Sequence, residues 1–329
     1  MLDSARESIG SVAGPSEPLR ERYALRFHGN GTSFFLIFLK NVLLTLLTAG
    51  VYLAWAKTER RRYIWQNLEF HGQHLRYSGT GLELFKGYCV VLLGYLGFFA
   101  LPYLAGRVSA QLKTALEIAL LIGIVLATPS LIYRSRAYLY SRTSWRGIRF
   151  GLLRASGRYS GEFLVGLLLT LVTLGLYLPV MTNRLHRILV DNTRFGTLEF
   201  AYTGKDRDAL RMGVAAFFLS VLTLGFYYPW YAVKLARYRG LHTRVGPNAW
   251  IDYRLTGGEL LRIYLLNLWG ATLTLGLAFP WIAMYSVRYA AERIGVEGWI
   301  DFESIGQREA GGGAAADGFA DALDIGLGV

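Results

Sequence analysis

Val221-Leu-Thr-Leu-Gly-Phe-Tyr-Tyr-Pro-Trp230 is a phrase that the chain repeats. It recurs as Thr45-Leu-Leu-Thr-Ala-Gly-Val-Tyr-Leu-Ala-Trp55, Leu171-Val-Thr-Leu-Gly-Leu-Tyr-Leu-Pro179 and Ala271-Thr-Leu-Thr-Leu-Gly-Leu-Ala-Phe-Pro-Trp281. Leu126-Ala-Thr-Pro129 reads as a worn fifth copy. The last three full copies lie about fifty residues apart, the scale of one supersecondary unit. An apolar stretch precedes each: Phe34–Leu47, Phe163–Leu174, Met212–Leu224 and Leu260–Leu275. Gly50, Gly175, Gly225 or Gly276 follows, then Pro179, Pro229 or Pro280 in three of the copies. Glycine accepts the left-handed conformation that ends a helix, and proline fits the first turn of the next. The phrase therefore predicts a helix stop followed at once by a helix start.

The flanks of the phrase agree among themselves. After it comes a basic amphipathic stretch, with Lys57, Arg60, Arg61 and Arg62 in the first copy and Lys234, Arg237 and Arg239 in the third. A short alternating segment follows, as in Leu198-Glu-Phe-Ala-Tyr202 and Trp250-Ile-Asp-Tyr-Arg-Leu255, the pattern of a half-buried strand. Thr80-Gly-Leu-Glu83 and Thr256-Gly-Gly-Glu259 have capping-box spacing and open further helices. Leu84–Tyr103 and Ala115–Tyr133 are apolar runs of about twenty residues, long enough for a bilayer core. The chain thus divides into an N-terminus (1–19) and a first unit (20–83) of membrane helix, basic helix and β-hairpin. A transmembrane hairpin (84–133) and a basic segment with strands (134–160) come next. Three more units (161–210, 211–258, 259–306) lead to a flexible acidic tail (307–329). The expected fold is a polytopic α-helical membrane protein with internal repeats, its strands pooled in a small cytoplasmic β-layer.

Composition narrows the class. The 329 residues are 53% hydrophobic and 18% charged, with mean hydropathy +0.31. Soluble domains carry about 25% charged residues. The single cysteine, Cys89, excludes a disulfide scaffold, and 21 Tyr, 18 Phe and 8 Trp exclude disorder for the body of the chain. The net charge of +12 sits mostly just after apolar runs. That placement suits positive-inside topology and anionic headgroups rather than nucleic acid, whose binding motifs are missing. Met1–Pro18 has no apolar core, so no cleavable signal peptide is expected. Helix pairs that dip into the bilayer and return would keep the arginine clusters and the strands on one side. Alternating full spans are the competing topology.

Candidate residues follow from this placement. Trp55, Trp230 and Trp281 read as an interfacial aromatic belt. Asn41 and Asn267 fall at comparable positions of two apolar helices, where helix–helix hydrogen bonding competes with a polar path. Arg60, Arg61, Arg62, Lys234, Arg237 and Arg239 are candidate contacts to anionic lipid. Glu83, Glu162 and Glu259 open helices and read as caps. His71-x-x-His74 lacks the companions of a metal site and reads as part of a glycine turn. No cofactor, metal or catalytic constellation is expected, and the chain does not read as an enzyme.

The phrase Leu-Thr-Leu-Gly-x-Tyr-x-Pro-Trp, followed by a basic helix and Tyr/Phe-x-Tyr-x-Gly-Thr, resembles the YjgN-like bacterial inner-membrane proteins. The matching stretches are Thr45–Tyr63 with Tyr77–Phe85, Thr170–His186 with Phe200–Gly204, and Thr223–Tyr238 with Tyr253–Gly257. The likeness covers nearly all of residues 20–305 and departs at Ala49, where the other copies have Leu. It implies a multi-pass protein of the bacterial inner membrane and no reaction. The expected function is a lipid-responsive membrane scaffold or binding protein. A transporter or channel for a small solute or lipid is the alternative. Expected partners are anionic lipid headgroups and a second copy or another membrane protein.

Overall fold

The computed structural model describes residues 21–307. The expected flexible N-terminus and all but the first residue of the acidic tail lie outside the described residues. Short strands alternate with five pairs of helices. The chain runs β1 (Arg22–Phe27), α1 (Gly31–Leu47), α2 (Leu53–Gln66) and β2 (Leu68–Phe70), then β3 (Gln73–His74), β4 (Arg76–Tyr77), α3 (Gly81–Gly106), α4 (Ala110–Arg142) and β5 (Thr143–Trp145). It continues through β6 (Ile148–Leu152), α5 (Ser156–Val172), α6 (Leu178–Asp191) and β7 (Thr193–Phe195), then β8 (Leu198–Tyr202), α7 (Asp206–Leu222), α8 (Tyr228–Leu241) and β9 (Thr243–Val245). It ends with β10 (Ala249–Tyr253), α9 (Gly257–Leu273), α10 (Phe279–Arg293) and β11 (Ile294–Gly298).

All eleven strands among the described residues join one antiparallel sheet in the order β3-β2-β1-β11-β10-β9-β8-β7-β6-β5-β4. The two strands at the ends of that order, β3 and β4, are separated in sequence only by Leu75, whose N–H donates to the Leu68 carbonyl at 2.9 Å. The sheet therefore closes on itself. A barrel stands where the sequence suggested a layer, because closure leaves no strand edge exposed. Every helix pair departs from one strand and returns to that strand's neighbour, as α7–α8 does between β8 and β9. All five pairs consequently rise from one rim, and the strand-to-strand turns form the other.

Strand alternation points Phe70, Trp145, Phe150, Phe195, Phe200, Val245 and Ile251 into the barrel. The segment after β11 crosses the turn-side opening. Trp299 N–H donates to Asn248 O at 3.3 Å, Thr197 N–H to Gly306 O at 3.1 Å, and Arg149 N–H to Gln307 Oε1 at 2.9 Å. This strap inserts Ile300, Phe302 and Ile305 among the inward-facing side chains.

The repeated phrase builds the tip of each short helix pair. Leu174 and Gly175 both take positive φ (51° and 94°), as do Leu224 and Gly225, Leu275 and Gly276, and Ala49 and Gly50. The sequence anticipated the glycine but not the residue before it. Gly175 N–H reaches back to Thr170 O at 2.7 Å, the six-to-one bond that ends a helix around a left-handed residue. The threonine of the phrase joins both helices. Thr173 Oγ1 donates to Leu169 O at 2.7 Å and accepts from Tyr177 N–H at 3.0 Å, and Thr48, Thr223 and Thr274 repeat the arrangement.

The worn copy behaves differently. Pro129 is buried inside α4, with no turn there, because Leu126-Ala-Thr-Pro129 lacks the glycine that stops a helix. The α3–α4 pair instead runs on and turns at residues 107–109, giving helices of 26 and 33 residues. At 1.5 Å per residue they extend about 39 and 50 Å, whereas the 17-residue first helices of the other pairs reach about 25 Å. The segment 134–160 holds the end of α4, the β5–β6 hairpin and the start of α5. The helix persists past Tyr133 because Tyr133, Ser135 and Tyr138 are buried against its neighbours.

Candidate functional site

The most exposed large apolar side chains form the helix tips. Leu174, Leu224 and Leu275 are 88, 89 and 92% exposed. Each occupies a left-handed position that favours glycine, at a cost of about 1–2 kcal/mol for an L-residue. The N–H groups of the Leu174 and Leu224 tips are nevertheless bonded within the turns, in part through the threonine hydroxyls. Internal satisfaction is what a hydrocarbon environment requires of a turn.

The opposite ends of the helices meet the barrel rim, where two recurring residues hold the ring together. Arg62 donates to Gly79 O (3.4 Å), Arg187 to Gly204 O (2.6 Å), Arg237 to Leu255 O, and Arg288 to Gly29 O (2.8 Å). In each case the carbonyl belongs to the loop that opens the next helix pair, so Arg288 closes the circle onto the first. One residue further on, Tyr63, Tyr238 and Tyr289 accept the N–H groups of Asn30, Lys205 and Thr256 at 3.1, 2.7 and 2.7 Å, within their own pairs. Sequence reasoning took Arg62 and Arg237 as lipid contacts, left Arg187 and Arg288 without a role and missed the tyrosines. The recurring dipeptides Arg62-Tyr63, Arg237-Tyr238 and Arg288-Tyr289 were the available signal.

The remaining basic candidates divide by depth. Lys234, Arg62 and Arg237 are exposed, Arg60 and Arg239 are half-buried, and Arg61 is 1% exposed with Nη1 at 3.4 Å from Tyr77 OH. Burial lowers the pKa of Arg60 and of Arg239. His186 is held down at about 3, first by burial and then by the charge of Arg239, so its imidazole is neutral. Asp206 gathers Asn183 and Arg184, both at 2.8 Å, and Arg187 at 3.1 Å.

The tryptophans sit between helix pairs. A Cβ at Gly81 would lie 2.5 Å from Trp55, one at Gly257 2.5 Å from Trp230, and one at Gly31 2.3 Å from Trp281. Each indole therefore seats on a glycine at the start of the following pair, with Trp230 and Trp281 still partly exposed. Asn41 is buried with its Oδ1 unpartnered, whereas Asn267 donates to Ile263 O in its own helix at 2.9 Å. Among the described residues no hydrogen bond joins the two. Thr80 and Glu83 form the expected capping box, and Glu83 also accepts from Arg142 and Tyr138, both at 2.7 Å. Glu259 departs from the expectation: it binds Tyr285 and Arg262, and Thr256 makes no side-chain cap. His71 stacks on Phe302 at 4.9 Å, and His74 packs beside His28 at 5.7 Å. Among the described residues no group of His, Cys, Asp or Glu is assembled to hold a metal ion.

The sequence matches the family described as "Bacterial protein of unknown function (DUF898)" over residues 22–222 and 241–322, the greater part of the chain. Among curated proteins it is similar to "Inner membrane protein YjgN" of Escherichia coli O157:H7, with 34% identity over 125 residues, 38% of this chain and 29% of the relative. The relatives of the same name in Escherichia coli K12 and Salmonella typhimurium LT2 are 33 and 34% identical over 38 and 39% of this chain. These matches span only 29–31% of the length of the relatives. No solved structure matches. With most of its length matched to that family, including the turn phrases at 45–55, 171–179 and 271–281, the chain belongs to the DUF898 family of bacterial proteins of unknown function.

Proposed function

We propose that the chain is a multi-pass protein of the bacterial inner membrane and a binding scaffold, in which helix pairs seat a β-barrel at the cytoplasmic face. The α3–α4 pair crosses the bilayer and returns, being long and apolar enough to do so, with Arg107 and Lys113 near its far turn. The four short pairs enter as wedges. Their leucine tips lie in the lipid, and their basic ends remain at the headgroups beside the rim. The observation that carries this reading is the set of leucines at the tips, displayed on turns whose N–H groups are bonded within the turn. Burying apolar side chains contributes roughly 25 cal/mol per Å². Lipid rewards these leucines for conformations that water would not. The names of the relatives support the inner-membrane placement. The arginines concentrated near the rim support the cytoplasmic side for the barrel. Exposed Lys234 remains the clearest candidate for anionic headgroups, since Arg62 and Arg237 already hold loop carbonyls.

Cysteine labelling in oriented inner-membrane vesicles, on a Cys89→Ser background, tests the seating. Val108→Cys should react only from the periplasmic face and Thr197→Cys only from the cytoplasmic face. Leu224→Cys should resist polar reagents from both faces until detergent is added. Ready labelling of Leu224→Cys from the periplasmic face would replace the wedges with full spans.

A further inference from the structure

The barrel interior holds a partly open cavity of about 270 Å³ whose wall is apolar, including Leu25, Phe70, Phe150, Leu198 and Val296. An apolar cavity of roughly 150 Å³ already stays dry and admits benzene. Without an occupant, the apolar lining of such a cavity has few dispersion partners on its inner side. The strap closes the turn end through Ile300 and Phe302.

The helix end is built differently. Tyr253 lines the cavity and packs beneath α8, so closely that a Cβ on Gly240 would lie 2.3 Å from its ring. The neighbouring side chain is Arg239. Its Nε is buried without a hydrogen-bond partner, and no carboxylate pairs with it among the described residues. The groups around it are the tyrosines 202, 231 and 253 and the imidazole of His186. His186 stands edge-on to Tyr202 at 4.9 Å, and its own Nε2 is also buried without a partner. Arg239 is only half-buried, but a buried N–H without an acceptor is costly, because buried polar groups are normally satisfied. The site therefore lacks an acceptor beside a cavity that lacks an apolar filling.

We propose that the barrel binds one unbranched alkyl chain bearing an anionic head, with the chain in the cavity and the carboxylate or phosphate at Arg239 and His186. A free fatty acid and a membrane phospholipid share this chemistry. The inference rests on the interior of the barrel and is independent of how the helix tips sit in the bilayer.

The test uses the full chain in amphipol and decanoate brominated at its terminal carbon, which quenches nearby indoles. Trp145 faces the cavity at 3% exposure. Its signal is read as the difference between the wild type and Trp145→Phe. We expect saturable quenching that unlabelled decanoate reverses and that Val245→Trp, which fills the cavity, removes. Arg239→Gln should weaken decanoate at least tenfold and leave brominated decanol unchanged. Phosphatidylglycerol brominated at its chain ends, in nanodiscs, assigns the source: quenching of Trp145 there identifies a lipid, and quenching by decanoate alone identifies a free acid. No saturable Trp145 signal with either probe overturns the proposal, whether or not Val245→Trp folds. Equal decanoate affinity in the wild type and Arg239→Gln overturns the headgroup site.

Discussion

The long pair α3–α4 and the short pair α7–α8 leave and rejoin the barrel in the same way and differ in where they turn. In the short pair, Thr223-Leu224-Gly225 stops the first helix after 17 residues. In the long pair, the corresponding stretch at Leu126–Pro129 lacks glycine, and α4 passes straight through it. The rim attachments persist in altered form. Tyr133 OH donates to Leu153 O at 2.5 Å, where other pairs use an arginine to hold the following loop, and position 137 is Ala. One phrase thus sets how far a helix pair reaches, and a separate set of rim residues fixes where it stands.

The largest expected effect separates reach from anchorage. Leu174→Asp, Leu224→Asp and Leu275→Asp together place three charges at the short tips. A charged aspartate at the centre of a membrane helix costs roughly 2.5–3.5 kcal/mol, and less near the interface. The triple variant should remain in the membrane through α3–α4 while its short tips lift out. Hydrogen exchange in nanodiscs would show faster exchange around residues 170–178, 220–228 and 271–279, and unchanged protection in α3 and α4. Unaltered exchange at the tips would mean that they stand in water already.

A second contrast concerns the turn itself. Gly225→Ala imposes a side chain at φ +90° and should destabilise the short pair by about 1–3 kcal/mol. Leu224→Gly relieves a strained residue and should stabilise the pair in detergent by about 1 kcal/mol, while weakening retention of the tip in lipid. Pro129→Ala restores a backbone N–H within a continuous helix and should be neutral or stabilising. Thermal unfolding in one detergent measures all three. Equal destabilisation by Gly225→Ala and Pro129→Ala would remove the distinction between a turn and a helix interior.

The order of helix, turn, basic helix and strand was legible in the sequence because periodicity and the glycine–proline pair act locally. Thr80 and Glu83 were legible for the same reason. Closure of the sheet was not. It depends on Leu75 joining β3 to β4 and on Arg288 meeting Gly29, contacts between residues far apart or at a bend of two-residue strands. The arginines were visible, but an arginine holding a carbonyl and one facing a headgroup occupy the same helical register. Only their partners separate them. Arg239 was legible as a candidate for an anionic group, but its place beside His186 was not, since the two lie on different helices and meet only in the fold.

Among the rim residues, Arg237→Met should cost about 1 kcal/mol by leaving the Leu255 carbonyl without its charged donor. Substitution of Ala137 by Met, at the corresponding position of the long pair, should cost less, because no such bond exists there to lose. Urea titration of both variants compares them. Equal losses would make the staple unimportant.

Acid sensitivity gives the smallest and most local contrast. Burial pushes the Asp206 carboxyl up, but hydrogen bonds from Arg184 and Asn183 and the charge of Arg187 outweigh it and hold it below the usual aspartate range. A lowered folded pKa means that the unfolded chain takes up the proton first as pH falls. The stability Asp206 contributes is therefore complete above the ordinary aspartate value of about 3.9 and is lost below it, as pH falls through the folded value. Hydrogen exchange of α7 between pH 5 and pH 3 should reveal this loss in the wild type. Asp206→Asn keeps the shape and removes the titration, so its α7 protection should be lower at pH 5 and flatter towards pH 3. A variant as acid-sensitive as the wild type would show that the carboxylate is not what ties α6 to α7.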